Sequence, residues 1–246
     1  MIRHLLQLIW NQRKQNAWLW AELLLVSIFL WFLVDYLYVM GRTYTAPLGF
    51  DIRHTYSIVI SSLSERSPDY IPKEKRERPD GVHLLTALDR IRTYPGVESA
   101  CLTDGGMPYY MGSRNLVWRI DTLQVPCRYA FVTPEFFDVF RIYDKDGKTA
   151  SLKRAIEDNN SIVISADVET MNPGLSLLGQ KAYRGNVTDE IEETIRGISV
   201  PIRRHEYTKA EPNVYRALRL SRMEEGYYEG CLLYTSDAAD EEDSVD

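Results

Sequence analysis

The run WLWAELLLVSIFLWFLVDYLYVM, Trp18 to Met40, constrains this chain more than any other stretch. As a helix its 23 residues reach about 34 Å at ~1.5 Å per residue, enough to cross a hydrocarbon core of ~30 Å. Two acids, Glu22 and Asp35, lie inside it, and the charge-free stretch from Leu23 to Val34 covers only about 18 Å. At least one carboxylate therefore sits at or within the hydrocarbon boundary. Two readings are open. Each acid can reach headgroup water at its own end, Asp35 beside Tyr36 and Tyr38, and Glu22 beside Trp18 and Trp20. Alternatively, Glu22 faces a partner helix, where an intramembrane acid is normally satisfied.

A cleaved signal peptide is the rival explanation, and the flanks disagree with it. The leading segment is long, the aromatic run continues past Asp35, and MGRTYTAP offers no clear small-x-small cleavage site. A retained membrane helix over residues 17–41 is expected. Arg3, Arg13 and Lys14 precede the span against Arg42 and Arg53 after it, a bias that puts the N-terminus in the cytoplasm. Leu5, Leu6, Ile9 and Trp10 recur at helical spacing beside Arg13 and Lys14, so residues 1–16 read as an amphipathic cytoplasmic segment along the inner interface.

Beyond the span, residues 42–230 are numerous enough for one ordinary extracytoplasmic domain with a sizeable core. Hydrophobic residues at 45% and charged ones at 26% are normal for a packed domain and exclude disorder as its ground state. The net charge of −6 is misleading, because Asp237, Asp240, Glu241, Glu242, Asp243 and Asp246 crowd the last ten residues; without those six, the 35 acids fall to 29 against 29 Lys and Arg. The folded part is electrically balanced, and no nucleic-acid surface is implied.

The pattern within the domain is α+β. TYSIVIS (Thr55 to Ser61) reads as a strand, and GVHLLTALDRIRTYPGV as a helix stopped by Tyr-Pro-Gly before a strand from Val97 to Thr103. NLVWRID and VPCRYAFV are two further strands. TPEFFDVF is a short helix, with Thr133 placed to cap and Pro134 in the first turn. NSIVISADV (Asn160 to Val168) is a strand entering a helix or turn, and Ile195 to Arg204 a final strand whose Pro201 suits an edge.

Residues that could carry chemistry do not assemble into a recognisable set. The histidines at 4, 54, 83 and 205 have no metal-ligand spacing, Asp104 to Gly106 lacks the rest of a phosphate loop, and no Gly-x-Ser-x-Gly elbow occurs. Cys101, Cys127 and Cys231 form no CxxC pair. Cys101 and Cys127 could bridge in an oxidising compartment, or serve as two small buried hydrophobes. Asn159 and Asn186 begin glycosylation sequons, which are frequent by chance. The sequence therefore nominates no catalytic, cofactor-binding or metal-ligating residue, and no cofactor.

Four motifs in order, GFDIRHTYSIVIS, LDRIRTYPGVESACLTDGGMPY, VTPEFFDVFRIYDKDGK and SIVISADV, resemble the start and extracytoplasmic core domain of MacB/FtsX-type ABC transporter permeases. The resemblance covers roughly residues 1–205. It implies a non-enzymatic permease subunit of a bacterial inner membrane that couples ATP hydrolysis on a separate cytoplasmic ABC ATPase to motion of its outer domain, for efflux or envelope remodelling. A second permease subunit and a periplasmic adaptor protein are the further partners it implies. The family has three more membrane helices after this domain, and the present sequence departs from it there. A single-span sensor or ligand-binding protein is the alternative, although only about sixteen residues precede the span to carry its output.

The end has a reading of its own. Cys-Leu-Leu-Tyr-Thr-Ser-Asp-Ala-Ala-Asp is what TGT CTC TTA TAC ACA TCT GAC GCT GCC GAC encodes, which resembles a translated transposase-based sequencing adapter. Residues 231–246 are accordingly expected to be an artefactual, disordered tail, with a genuine acidic tail as the alternative.

Overall fold

The structure, a computed structural model, describes residues 10, 14, 17–58, 64–72, 75–110, 112, 114–185, 190–218 and 231–236. It divides into two units, Met1–Pro47 and Leu48–Asp246. In the first, helix α1 runs Ala17–Thr45 without a buried residue. It continues four residues past the expected end of the span, and its side chains from Leu23 to Val34 are exposed along the whole apolar run. This is the one helix among the described residues long and apolar enough to cross a membrane. The amphipathic reading of residues 1–16 falls almost entirely outside the described residues.

The second unit is a mixed α/β domain. Its strands are β1 (Thr55–Ile58), β2 (Val97–Asp104), β3 (Asn115–Ile120), β4 (Leu123–Val132), β5 (Ser161–Ser165), β6 (Lys181–Arg184), β7 (Ile191–Ser199), β8 (Asn213–Ala217) and β9 (Cys231–Ser236). The helices are α2 (Asp80–Arg92), α3 (Phe136–Val139), α4 (Ala150–Ala155) and α5 (Asp167–Met171). Six strands pair in the sequence β4-β3-β6-β7-β5-β8, and β8 then pairs with β4 in parallel, which closes them into a small barrel. The three-stranded ribbon β1-β9-β2 continues from β4 through the short pairing of Thr103 and Asp104 with Val132 and Phe131.

Alternation along the barrel strands explains two of the three cores. Trp118 and Ile120, Val125 and Cys127, Ile162 and Ile164, Ala182, Ile195 and Val214 fill the interior as one cluster. The opposite phase of the same strands, Ala130 and Val132, Val163, and Tyr215, meets Phe136, Phe137, Phe140 and Leu152 from α3, α4 and the turn after α3. Phe136 stacks edge-on to Phe140 at 4.8 Å and Phe137 edge-on to Tyr215 at 5.6 Å, so the aromatic motif is an anchor against the outer barrel wall. A third cluster joins Leu84 and Leu88 of α2 to Ala100 and Leu102 of β2.

Several expectations need correction. Thr133 does not cap α3: its hydroxyl accepts from the Leu102 amide at 3.2 Å, tying the segment to β2, and α3 has no side-chain cap. The strand expected at Ile195–Arg204 is neither final nor at an edge. As β7 it lies between β6 and β5 and stops at Ser199, so Pro201 falls outside the ladder. There Gly49 crosses it with φ +83, and a Cβ on Gly49 would stand 2.1 Å from the Pro201 carbonyl oxygen. Cys231–Ser236, expected to be part of a foldless tail, is placed as β9 between β1 and β2. Leu-Leu-Tyr-Thr is β-prone, and two strands with open ladders accept such a segment irrespective of its origin. Residues 237–246 lie outside the described residues.

Candidate functional site

No site was expected from sequence, and the three described histidines lie on separate elements. His54 sits in the turn before β1 with φ 58, His83 is exposed on α2, His205 is half-buried in the loop before β8, and His4 lies outside the described residues. Among the described residues no three His, Cys, Asp or Glu side chains converge on a metal position. Cys101 and Cys127 are both buried but lie in different clusters, one against the aromatic anchor and the other inside the barrel, and no disulfide joins them. Burial pushes the Cys127 thiol up to about 12. Asn159 is exposed before β5, and Asn186 lies outside the described residues.

Two polar sites break the apolar pattern instead. The first is inside the barrel. Glu193 of β7 is 2% exposed, and its carboxylate accepts from Arg216 Nε at 2.7 Å, from Arg184 Nε at 3.3 Å and from the Trp118 indole N–H at 3.3 Å. Arg216 also lies 4.9 Å over the Phe131 ring. Three strands, β6, β7 and β8, thus direct one carboxylate and two guanidinium groups into the same end of the interior, and β3 adds the Trp118 indole. Removed from water, such groups are tolerated only when each finds charged or hydrogen-bonding partners, so they fix which strands may neighbour each other.

The second site is outside, between the parallel strands β4 and β8. A cleft there is lined by Gly106, Arg114, Arg128, Tyr129, Asn213 and Tyr215, among others. Gly106, at φ +74, lets the loop after β2 close on the barrel, since a Cβ would come within 2.6 Å of the Ala130 Cβ. Asn213 is held by its own amide donating to Ser165 Oγ at 2.9 Å and by its side chain donating to the Glu211 carbonyl at 2.6 Å. Arg114 pairs with Asp104 at 2.5 Å, and Arg204 approaches Glu211 at 3.7 Å. Arg128 Nε is buried without a hydrogen-bond partner, as is Arg204 Nε. Burial lowers the Arg128 pKa and the charge of Arg204 lowers it further, against Glu211 and Tyr215.

Behind this cleft Tyr215 is pushed well above the usual phenol range by burial, with Arg128 and Asp167 acting on it in opposite directions. Asp167, at the start of α5, is raised by burial in spite of hydrogen bonds from Ser165 and from backbone amides. Its second carboxylate oxygen is buried without a partner.

The sequence carried a signal for the interior cluster that was missed. Glu193 is in phase with Ile195, Arg216 with Val214 and Arg184 with Ala182, each a charge in the buried register of a strand. Without β6 and β8 recognised as strands, that phase could not be read.

No protein-family model matches this sequence, and no curated protein matches it. Among solved structures, similarity is found to the extracellular domain of the noncanonic ABC-type transporter YknZ from Gram-positive bacteria, at 12% identity and TM-score 0.47 over 76% of this chain and 86% of that one. The periplasmic region of MacB from Actinobacillus actinomycetemcomitans is similar at 10% identity and TM-score 0.45, over 83% and 82%. A domain assigned to a permease protein of Porphyromonas gingivalis is similar at 17% identity and TM-score 0.43; 58% of this chain spans 57% of that domain.

Proposed function

We propose that this chain is the first membrane span and extracytoplasmic domain of a permease subunit in an ABC-type transporter of the MacB/FtsX kind. It carries no catalytic site of its own and works with a separate cytoplasmic ATPase and a second permease subunit in a bacterial cytoplasmic membrane. The N-terminus faces the cytoplasm, and the barrel domain moves outside it to drive efflux or envelope remodelling.

The observation that carries this reading is the set of four family-like motifs, placed after an apolar helix of spanning length, that share one folded unit. GFD, TPEFF and SIVIS meet around one core: the Asp51 amide donates to the Phe140 carbonyl at 2.9 Å, and Phe136, Phe137 and Val163 belong to the same cluster. Motifs that meet in space while distant in sequence are more than chance matches, because each constrains the packing of the others.

The test is to recover the source reading frame across the codon for Gly230 by long-read sequencing. A frame running on into three more hydrophobic spans is expected. A native stop after Asp246 would overturn the permease reading and leave a single-span protein whose domain senses or binds a ligand. Placement of the domain is tested separately by labelling an exposed Cys introduced at Lys145 in intact cells with a membrane-impermeant maleimide; labelling without lysis is expected.

A further inference from the structure

We propose that the place between β1 and β2, held here by Cys231–Ser236, is a strand-accepting slot whose occupant in the uninterrupted protein is the segment that follows Gly230 on its way to the next membrane helix. The inference rests on the permease reading above and deepens it, by stating what that continuation must be. The codons of residues 231–236 resemble an adapter, yet their backbone completes the ribbon. β9 pairs with β1 from Thr55 to Ile58 and with β2 from Val97 to Thr103, antiparallel to both. β1 and β2 are thus parallel and separated by the width of one strand, and the backbone groups they turn towards each other are met by that strand alone. Such a ladder is a demand of the main chain, which any extended segment with suitable side chains can meet.

The slot specifies its occupant. Directly paired residues of neighbouring strands share a face. Ala100 and Leu102 of β2 cluster with Leu84 and Leu88 of α2, and Ile58 of β1 packs against the same cluster, so the ladder positions opposite them open on α2. Cys101 clusters with Phe136 and Phe137, so the ladder position opposite Cys101 opens on the aromatic anchor. A strand covered on both faces reads as a near-continuous apolar run and not as an alternating one. The occupant is therefore a run of about six apolar residues, rich in β-branched and aromatic side chains and free of proline and charge. Its direction suits the same role. Antiparallel to β1, it ends opposite Thr55, at the end of the ribbon where the chain enters the sheet after α1. A segment that returns to the membrane must leave the domain at the end by which the chain came in.

The experiment uses Cys101 as a reporter of the slot. Residues directly opposite on antiparallel strands stand about 4.5–5.5 Å apart at Cα, within disulfide reach. In the present chain, held in detergent micelles and oxidised with copper phenanthroline, Leu233→Cys is expected to bond to Cys101, and Leu232→Cys, one step out of phase, is not. The uninterrupted protein, expressed from its recovered gene, is then scanned with cysteine one position at a time through the six residues after Gly230. A bond to Cys101 at one position, and none at the positions immediately before and after it, is expected, within an apolar run of the kind described. No bond in Leu233→Cys, no bond at any scanned position, or a polar or proline-broken segment after Gly230 would overturn the inference. If the frame still runs on into further membrane spans, those results leave the permease reading standing. A native stop after Asp246 removes that reading, and the inference falls with it because residues 231–236 are then the slot's own strand. If the cysteine variants do not fold, hydrogen exchange of the unsubstituted parent decides: β1 amides as slowly exchanging as those of β2 support the slot's occupation, and β1 amides exchanging at the free-chain rate overturn it.

Discussion

Glu22 and Glu193 are both acids set in apolar sequence, and the molecule treats them oppositely. Glu193, in EIEETI, is enclosed in the barrel and met by Arg184, Arg216 and the Trp118 indole. Glu22, in LWAELLL, projects from α1, a helix with no buried residue. A carboxylate withdrawn from water inside a protein must have its partners supplied by the same fold, at fixed positions. One on a membrane helix can be satisfied by headgroup water or by another chain. The first acid is therefore part of what defines this fold, and the second, exposed on α1, depends on what surrounds that helix.

Removing the Glu193 carboxylate should have the largest effect. Glu193→Ala would leave Arg184 and Arg216 without their anion inside the barrel, and a loss of about 3–5 kcal/mol is expected, read from urea unfolding of the full chain in micelles. Glu193→Gln keeps an acceptor and should lose less, about 1–3 kcal/mol. Adding Arg216→Leu to Glu193→Leu should recover part of the loss, because the more deeply buried unpaired cation is then gone. A loss under about 1 kcal/mol in Glu193→Ala would mean that water reaches the cluster, and the contrast with Glu22 would collapse.

Asp167 lies between these extremes, since one of its oxygens is bonded and the other is buried without a partner. Its pKa is raised in the folded chain, so folding favours the protonated form. That contribution is complete below the ordinary aspartate range, about pH 3.9, and is lost as pH rises through the folded value. The fall in unfolding free energy between about pH 4 and pH 7 should accordingly be smaller in Asp167→Asn than in the parent chain. Comparing the two chains cancels the opposite contributions of Asp144, Glu169 and Glu206, whose pKa values are lowered by their hydrogen bonds. Parallel pH profiles would show that Asp167 is hydrated in solution.

The same distinction explains how far the sequence could be read. The long apolar helix α1, α2, β2 to β5 and the buried aromatic turn are legible because each carries a clear apolar run or period. β6 (KAYR) and β8 (NVYRA) are not, being short, charged and stabilised chiefly by neighbours distant in sequence. Barrel closure depends on the β8 to β4 pairing, which joins Arg128–Val132 to Asn213–Ala217, and no local pattern announces a contact of that range. Both polar sites sit on these strands. Arg128 reads as one ordinary cation on VPCRYAFV; that burial, Arg204 and Glu211 act on it together appears only in the fold.

The smallest effect is expected at Glu22. Glu22→Leu removes a charge from a helix that forms a unit distinct from the domain, so domain unfolding in micelles should move by no more than about 0.5 kcal/mol. The near-ultraviolet signal suits this test, because Trp118 is the single tryptophan of the domain while Trp10, Trp18, Trp20 and Trp31 belong to the N-terminal unit. A shift above about 1 kcal/mol would require the Glu22 carboxylate to be coupled to the domain's stability, as Glu193 is. A null result on folding makes any change in self-association of the same variant attributable to the helix alone, which is the measurement that distinguishes headgroup water from a neighbouring helix as the partner of this acid.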